Sequence, residues 1–133
     1  MYAPLFQLRA FDVIDNGAKS RVLELLLEAL IAADIEYLRV CPSTPSLYES
    51  GVVYEEEPEE RDHWQDIPET LGLGNGDCED LGCWRIAELR FRAEEHATPF
   101  ITWREVGNRT VYHIAVRRSD GSVEDPSRLL GMR

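Results

Sequence analysis

Apolar positions along this chain change their spacing twice. Val22, Leu23, Leu26, Leu27, Leu30 and Ile31 recur every three or four residues, with Arg21, Glu24 and Glu28 mostly opposite. That spacing predicts an amphipathic helix over "SRVLELLLEALIAADIEYLR", with Ser20 as its N-cap. From Cys78 the helical spacing returns. Leu81, Trp84, Ile86, Ala87 and Phe91 can line a buried stripe, while Glu79, Asp80, Arg85, Glu88 and Arg92 can face water. This second helix should end near "EEHATP", because Pro99 disfavours helix at the residue before it. The pattern then becomes that of strands. "FITWREV" and "TVYHIAVRR" are rich in β-branched and aromatic residues and are separated by a Gly107-Asn108 turn. A "SDG" turn then leads to a last short strand, "SVED".

The remaining segments read less regularly. Residues 4–14 are apolar and partly β-branched, which predicts a short strand or an extended arm, ended by the Asp15-Asn16-Gly17 turn. Pro42, Pro45 and Gly51 break regular structure, and a short "VVYEE" strand follows them. Glu55 to Asp62, "EEEPEERD", is a solvated charge run. "HWQDIPETLGLGNG" predicts a loop with one helical turn. There is no internal repeat, low-complexity linker or second domain, so residues 1–133 are expected to form one domain. Helices come first and consecutive hairpins last. That order predicts an α+β fold in which an antiparallel β-sheet packs against the helix that carries Cys78 at its N-terminus.

Composition narrows the function classes. The net charge of −11 on 133 residues argues against a nucleic-acid-binding surface, which needs clustered Lys and Arg. A local basic group near the C-terminus (Arg104, Arg109, Arg117, Arg118, Arg128, Arg133) does not change that balance. No segment reaches the roughly 18 apolar residues of a membrane span. The start, "MYAPLFQLRAFDV", lacks the charged end and long apolar run of a secretory signal. Cys41, Cys78 and Cys83 do not make a disulfide framework. A cytoplasmic, reducing setting is expected.

The chemistry centres on "GNGDCEDLGCW", Gly74 to Trp84, where a cysteine stands between a glycine-rich turn and a helix. Three roles are open to Cys78. It can be a packed core residue, as Cys83 is expected to be. It can be a metal ligand with Cys83, His63 and His113, but the gap between the cysteines is long for a zinc pair and no second pair exists, so no metal and no cofactor are expected. It can be a nucleophile, because the unpaired N–H groups at a helix start lower a thiol pKa and can hold an oxyanion. A nucleophile needs a base and an orienting group. His113 sits on a predicted strand and shares a face with Val111 and Ala115, while Tyr112, Ile114 and Val116 face the core. His63 and His96 are weaker candidates. The orienting acid depends on the next turn. A three-residue Ser119-Asp120-Gly121 loop, with Gly121 in the left-handed region, pairs Ala115 with Asp125. Asp125 then lies diagonal to His113 on the same face, and Glu124 points away.

Three pieces now stand in order: "GDCEDL" opening a helix, "YHIAV" on a strand and "VEDPSRLLGM" on the next, with Cys78, His113 and Asp125 spaced 35 and then 12 positions apart. Cysteine, histidine and Asp-Pro in this order and at these spacings resemble the transglutaminase-like cysteine protease superfamily. The resemblance covers roughly Trp64 to Arg133. It implies a transglutaminase-like or papain-like core, with Cys78 as nucleophile, His113 as base and Asp125 as third member of the triad. It implies attack on a peptide or amide bond of a protein or peptide substrate, ending in hydrolysis or crosslinking. The chain as a whole also looks like small members of this superfamily encoded among phage and prophage genes. That likeness implies a phage structural protein as partner and a virion-associated location as an alternative to the cytoplasm. It also keeps open a non-catalytic assembly or interaction protein that retains the fold. Ile114 and Ala115 follow His113 where many members carry an aromatic residue, which bears on substrate preference. No upstream side-chain oxyanion donor is evident; Gln65 and Asn75 are candidates by chemistry. The cell-wall hydrolases of the NlpC/P60 family also open a helix with Asp-Cys but usually continue with Ser-Gly, where this chain has Glu79-Asp80.

Overall fold

The computed structural model describes residues 16–56 and 63–133. The expected arm at residues 4–14 and most of the acidic run lie outside them. Helix α1 runs from Asn16 to Val40. Its buried positions, Leu27, Ile31, Asp34 and Leu38, follow the helical period and face inward. Ser20 is not its N-cap. It lies one turn inside, with its hydroxyl buried and unpartnered. Asn16 and Gly17, expected to belong to a turn, are also helical, because Ala18 and Lys19 are good helix formers and carry the helix back past Ser20.

A 3-10 turn, Leu47–Glu49, leads into β1, Val53–Tyr54. The next segment corrects the expectation of a loop with one turn: it is a seven-residue helix, α2, Ile67–Leu73. Asp66 caps it by accepting a hydrogen bond from the Glu69 N–H, Pro68 occupies its first turn, and Gly74 ends it at φ +79°. Its apolar stripe is too short to show a period, so the caps carry the signal. Strand β2, Asn75–Gly76, pairs in parallel with β1. Helix α3, Cys78–Arg92, follows at once.

The strands β3, Thr98–Val106, β4, Arg109–Arg117, and β5, Val123–Glu124, form an antiparallel sheet in that order. A last turn of helix, α4, spans Pro126–Leu129. The architecture is α+β, with the antiparallel sheet packed on helices, as the element order predicts. Helix α3 lies between α1 and β4. The core joins Leu27 and Ile31 of α1, Leu81, Trp84 and Ile86 of α3, and Ile114 and Val116 of β4. No helix among the described residues is long and apolar enough to cross a membrane.

Being covered on both sides changes the polar face expected for α3. Asp80 and Glu88 are buried, and Phe91 is exposed. Both acids anchor loops. Asp80 accepts the Gln65 N–H at 2.7 Å, and Glu88 accepts the Leu47 N–H at 3.1 Å. Buried backbone donors must find acceptors, and these carboxylates supply them.

Candidate active site

Cys78 is the first residue of α3. Gly74 turns the chain out of α2, and Gly76 brings it close to the new helix. A Cβ on Gly76 would lie 3.0 Å from the Asp80 Cβ, so a larger residue would push the Cys78 turn away. Asp77 is the N-cap and forms a reciprocal capping box with Asp80.

Strand β4, which carries His113, packs on α3. Gly82 of α3 makes the approach close: a Cβ there would stand 3.2 Å from Ile114 Cγ2. The β5 pairing then explains what happens at the Ile114 backbone. Val116 lies opposite Glu124, so the next position on that side would set Ile114 opposite Pro126. Pro126 opens α4 instead, and the Ile114 N–H lies near enough to the Cys78 sulfur to favour its thiolate. The residue before Ile114 is His113.

The turn chemistry gives the expected register. Gly121 has φ +88°, and the Arg118 N–H bonds the Ser122 carbonyl at 2.8 Å across a three-residue loop. Asp125 therefore falls beside His113, and its Oδ2 lies 2.7 Å from His113 Nε2. The same oxygen is 3.4 Å from Arg128 Nε, and Oδ1 accepts the Arg128 N–H. Asp125 both meets the imidazole and caps α4. Glu124 points the other way and accepts hydrogen bonds from Arg85 Nε (2.6 Å), Arg118 Nη1 (2.7 Å) and the Tyr48 hydroxyl (2.5 Å). Opposite faces of two adjacent residues are thus fixed by separate sets of partners.

Cys78 departs from expectation in its electrostatics. Burial pushes its thiol well up, the Glu79 carboxylate adds to this, and the Ile114 N–H only partly opposes them. The helix start does not lower the pKa because burial of the sulfur outweighs its N–H groups. Burial, then Asp77, likewise raises Glu79 well above the carboxylate range and brings Asp80 up to about 9. The thiol donates to Glu79 Oε2 at 3.5 Å. Among the described residues no hydrogen bond joins it directly to His113.

Glu79, which the sequence pattern turns toward water, is thus a neighbour of the sulfur. Its place directly after the cysteine was the available signal. Tyr54, whose hydroxyl burial raises to about 12, is a second neighbour from β1 that no sequence pattern marked. Neither candidate oxyanion side chain is directed at the site. Gln65 Nε2 donates to Thr70 Oγ1 and the Asn75 carbonyl, and Asn75 Nδ2 to the Leu73 carbonyl. The Cys78 N–H remains as the first amide of the helix, with no carbonyl one turn behind it.

Cys83 is fully buried, its sulfur 3.7 Å from the Leu27 carbonyl, and burial pushes its thiol up. His63 pairs with Glu69 at 2.8 Å, and His96 is exposed. No group of three His, Cys, Asp or Glu among the described residues could hold a metal ion. Compared with known proteins, the chain matches no family model, no curated protein and no solved structure.

Proposed function

We propose that the chain is a transglutaminase-like cysteine hydrolase or acyltransferase with a papain-like core, acting on a peptide or amide bond of a protein substrate. The observation that carries this is the 2.7 Å contact of His113 Nε2 with Asp125 Oδ2, in a sheet packed against the helix that Cys78 opens. In this reading His113 takes the thiol proton through its free ring nitrogen as Cys78 Sγ attacks the carbonyl. The C–N bond breaks, the imidazolium gives its proton to the leaving amine, and a thioester remains on Cys78. Water or a second amine then attacks the thioester, with His113 taking its proton, and the thiol returns. Asp125 fixes the imidazole tautomer and stabilises its cation. Because burial and Glu79 hold the resting thiol protonated, proton transfer accompanies attack rather than preceding it.

The thiol–Glu79 contact favours a second reading, a phage assembly or interaction protein that keeps the fold without catalysis. An activated ester separates the two. On incubation with a nitrophenyl ester, the enzyme accumulates one acyl group on Cys78 and loses it to water, or to an added primary amine if it is an acyltransferase. An interaction protein leaves the ester at its background rate. A phage structural partner and a cytoplasmic or virion location belong to the same proposal, drawn from the sequence resemblance alone.

A further inference from the structure

Glu79 Oε2, at 3.5 Å, accepts the thiol hydrogen, and the Ile114 N–H of β4 lies near enough to favour the thiolate. His113 meanwhile is held through Nε2 by Asp125. A thiol that hands its proton to an imidazole must point at it, and one bonded to Glu79 does not.

We propose that Glu79 is a positioning residue that latches the Cys78 thiol in a resting orientation away from His113, so that the nucleophile is freed only when this contact breaks. The proposal rests on the acyl-transfer function assigned above to the same site. Two effects act in one direction. The hydrogen bond holds one side-chain rotamer, so attack requires a rotation about Cα–Cβ. Once it ionises as pH rises, the Glu79 carboxylate also opposes the thiolate by like charge. The other titratable groups near the sulfur are Asp77 at the N-cap and Tyr54 of β1 with Glu56 near it, while His113 and its partner Asp125 belong to the sheet packed on α3. Asp80 is turned to the Gln65 and Asp77 N–H groups. Among the described residues Glu79 alone of the carboxylates accepts the thiol hydrogen. Nor does the helix start need it, since Asp77 and Asp80 already complete the capping box.

The test is alkylation of Cys78 by iodoacetamide, read by peptide mass from about pH 6 to about pH 11. It compares wild type, Glu79→Gln, Glu79→Ala, His113→Ala and the Glu79→Gln/His113→Ala pair. Glu24→Gln, on the exposed side of α1, makes the same charge change far from the site. Removing Glu79 should lower the alkylation midpoint by about one pH unit and speed labelling below it about tenfold, because a unit charge at this distance is worth that much even at the dielectric of water. Glu79→Ala should give the same shift, and Glu24→Gln none. The shift should persist with His113 absent, because Glu79 acts on the sulfur directly; failure of the triad would appear separately, as acylation indifferent to His113→Ala. An unchanged midpoint in both folded Glu79 variants overturns the latch, and so does an equal shift in Glu24→Gln. Folding is checked in each sample by Cys83, which is fully buried and stays unlabelled in the native protein.

Discussion

His113 Nε2 lies 2.7 Å from Asp125 Oδ2, while the other oxygen of the same carboxylate caps α4 through the Arg128 N–H. The two roles separate by substitution. Asp125→Asn keeps an acceptor for the cap but weakens control of the imidazole tautomer. Asp125→Ala loses both and should cost about 1 kcal/mol of stability. Acylation of Cys78 should fall in both variants, further in Ala, with the fold retained. Thermal melting beside acylation rates checks this. A loss of stability with unchanged rates would leave Asp125 as a cap only.

Glu124 should matter through placement rather than chemistry. Its partners Arg85 and Arg118 are half-buried ion-pair donors that tie β5 to α3, and each also holds a second carboxylate, Glu88 and Glu95. Glu124→Ala leaves them those partners and should cost about 1 kcal/mol, read by urea denaturation. The ring signals of His113 in an NMR spectrum should move with it, because Asp125 is the next residue. Unmoved His113 signals would mean that β5 keeps its register without Glu124.

Asp34 sets a pH dependence of stability. It is fully buried, with Oδ1 accepting the Ile67 N–H at 2.9 Å and Oδ2 unpartnered. Burial raises its carboxyl well above the usual value, so the folded protein holds a proton that the unfolded chain releases above about pH 4. Its contribution is complete below that pH and declines as pH rises toward the folded pKa. Asp34→Asn, neutral at every pH, should therefore be more stable than wild type at pH 8 and flatten the fall in melting temperature between pH 5 and pH 8. An identical pH profile in the two proteins would contradict a protonated Asp34.

Cys83 separates packing from chemistry within one helix. Its sulfur is buried against α1. Cys83→Ala should lower stability by about 1 kcal/mol through the small cavity left behind. It should leave the alkylation profile of Cys78 unchanged. Equal labelling of both sulfurs in folded wild-type protein would reverse this assignment.

The β4–β5 register was legible because a single feature decides it. Only a three-residue loop with Gly121 in the left-handed region puts Asp125, rather than Glu124, on the His113 side. The long helices were legible from their periods. The polar side of α3 was not, because period alone does not tell a surface helix from one enclosed between α1 and a sheet. Asp80 and Glu88 look solvated in sequence and become loop anchors only once Gln65 and Leu47 are folded against them. The state of the thiol was missed for a related reason. The helix start promises free N–H groups, but whether burial and a neighbouring carboxylate outweigh them depends on the packing around Cys78 and Glu79.

The most direct measurement is the acyl adduct itself. Wild type, Cys78→Ala and His113→Ala are mixed with an activated peptide ester, and intact mass followed by peptide mapping locates the acyl group. A Cys78–His113–Asp125 triad predicts one acyl group per chain, on Cys78, absent in Cys78→Ala and formed at least about a hundredfold more slowly in His113→Ala, as expected when a general base is removed. Acylation of Cys78 at the same rate with and without His113, or no acylation above background in folded wild type, would contradict it.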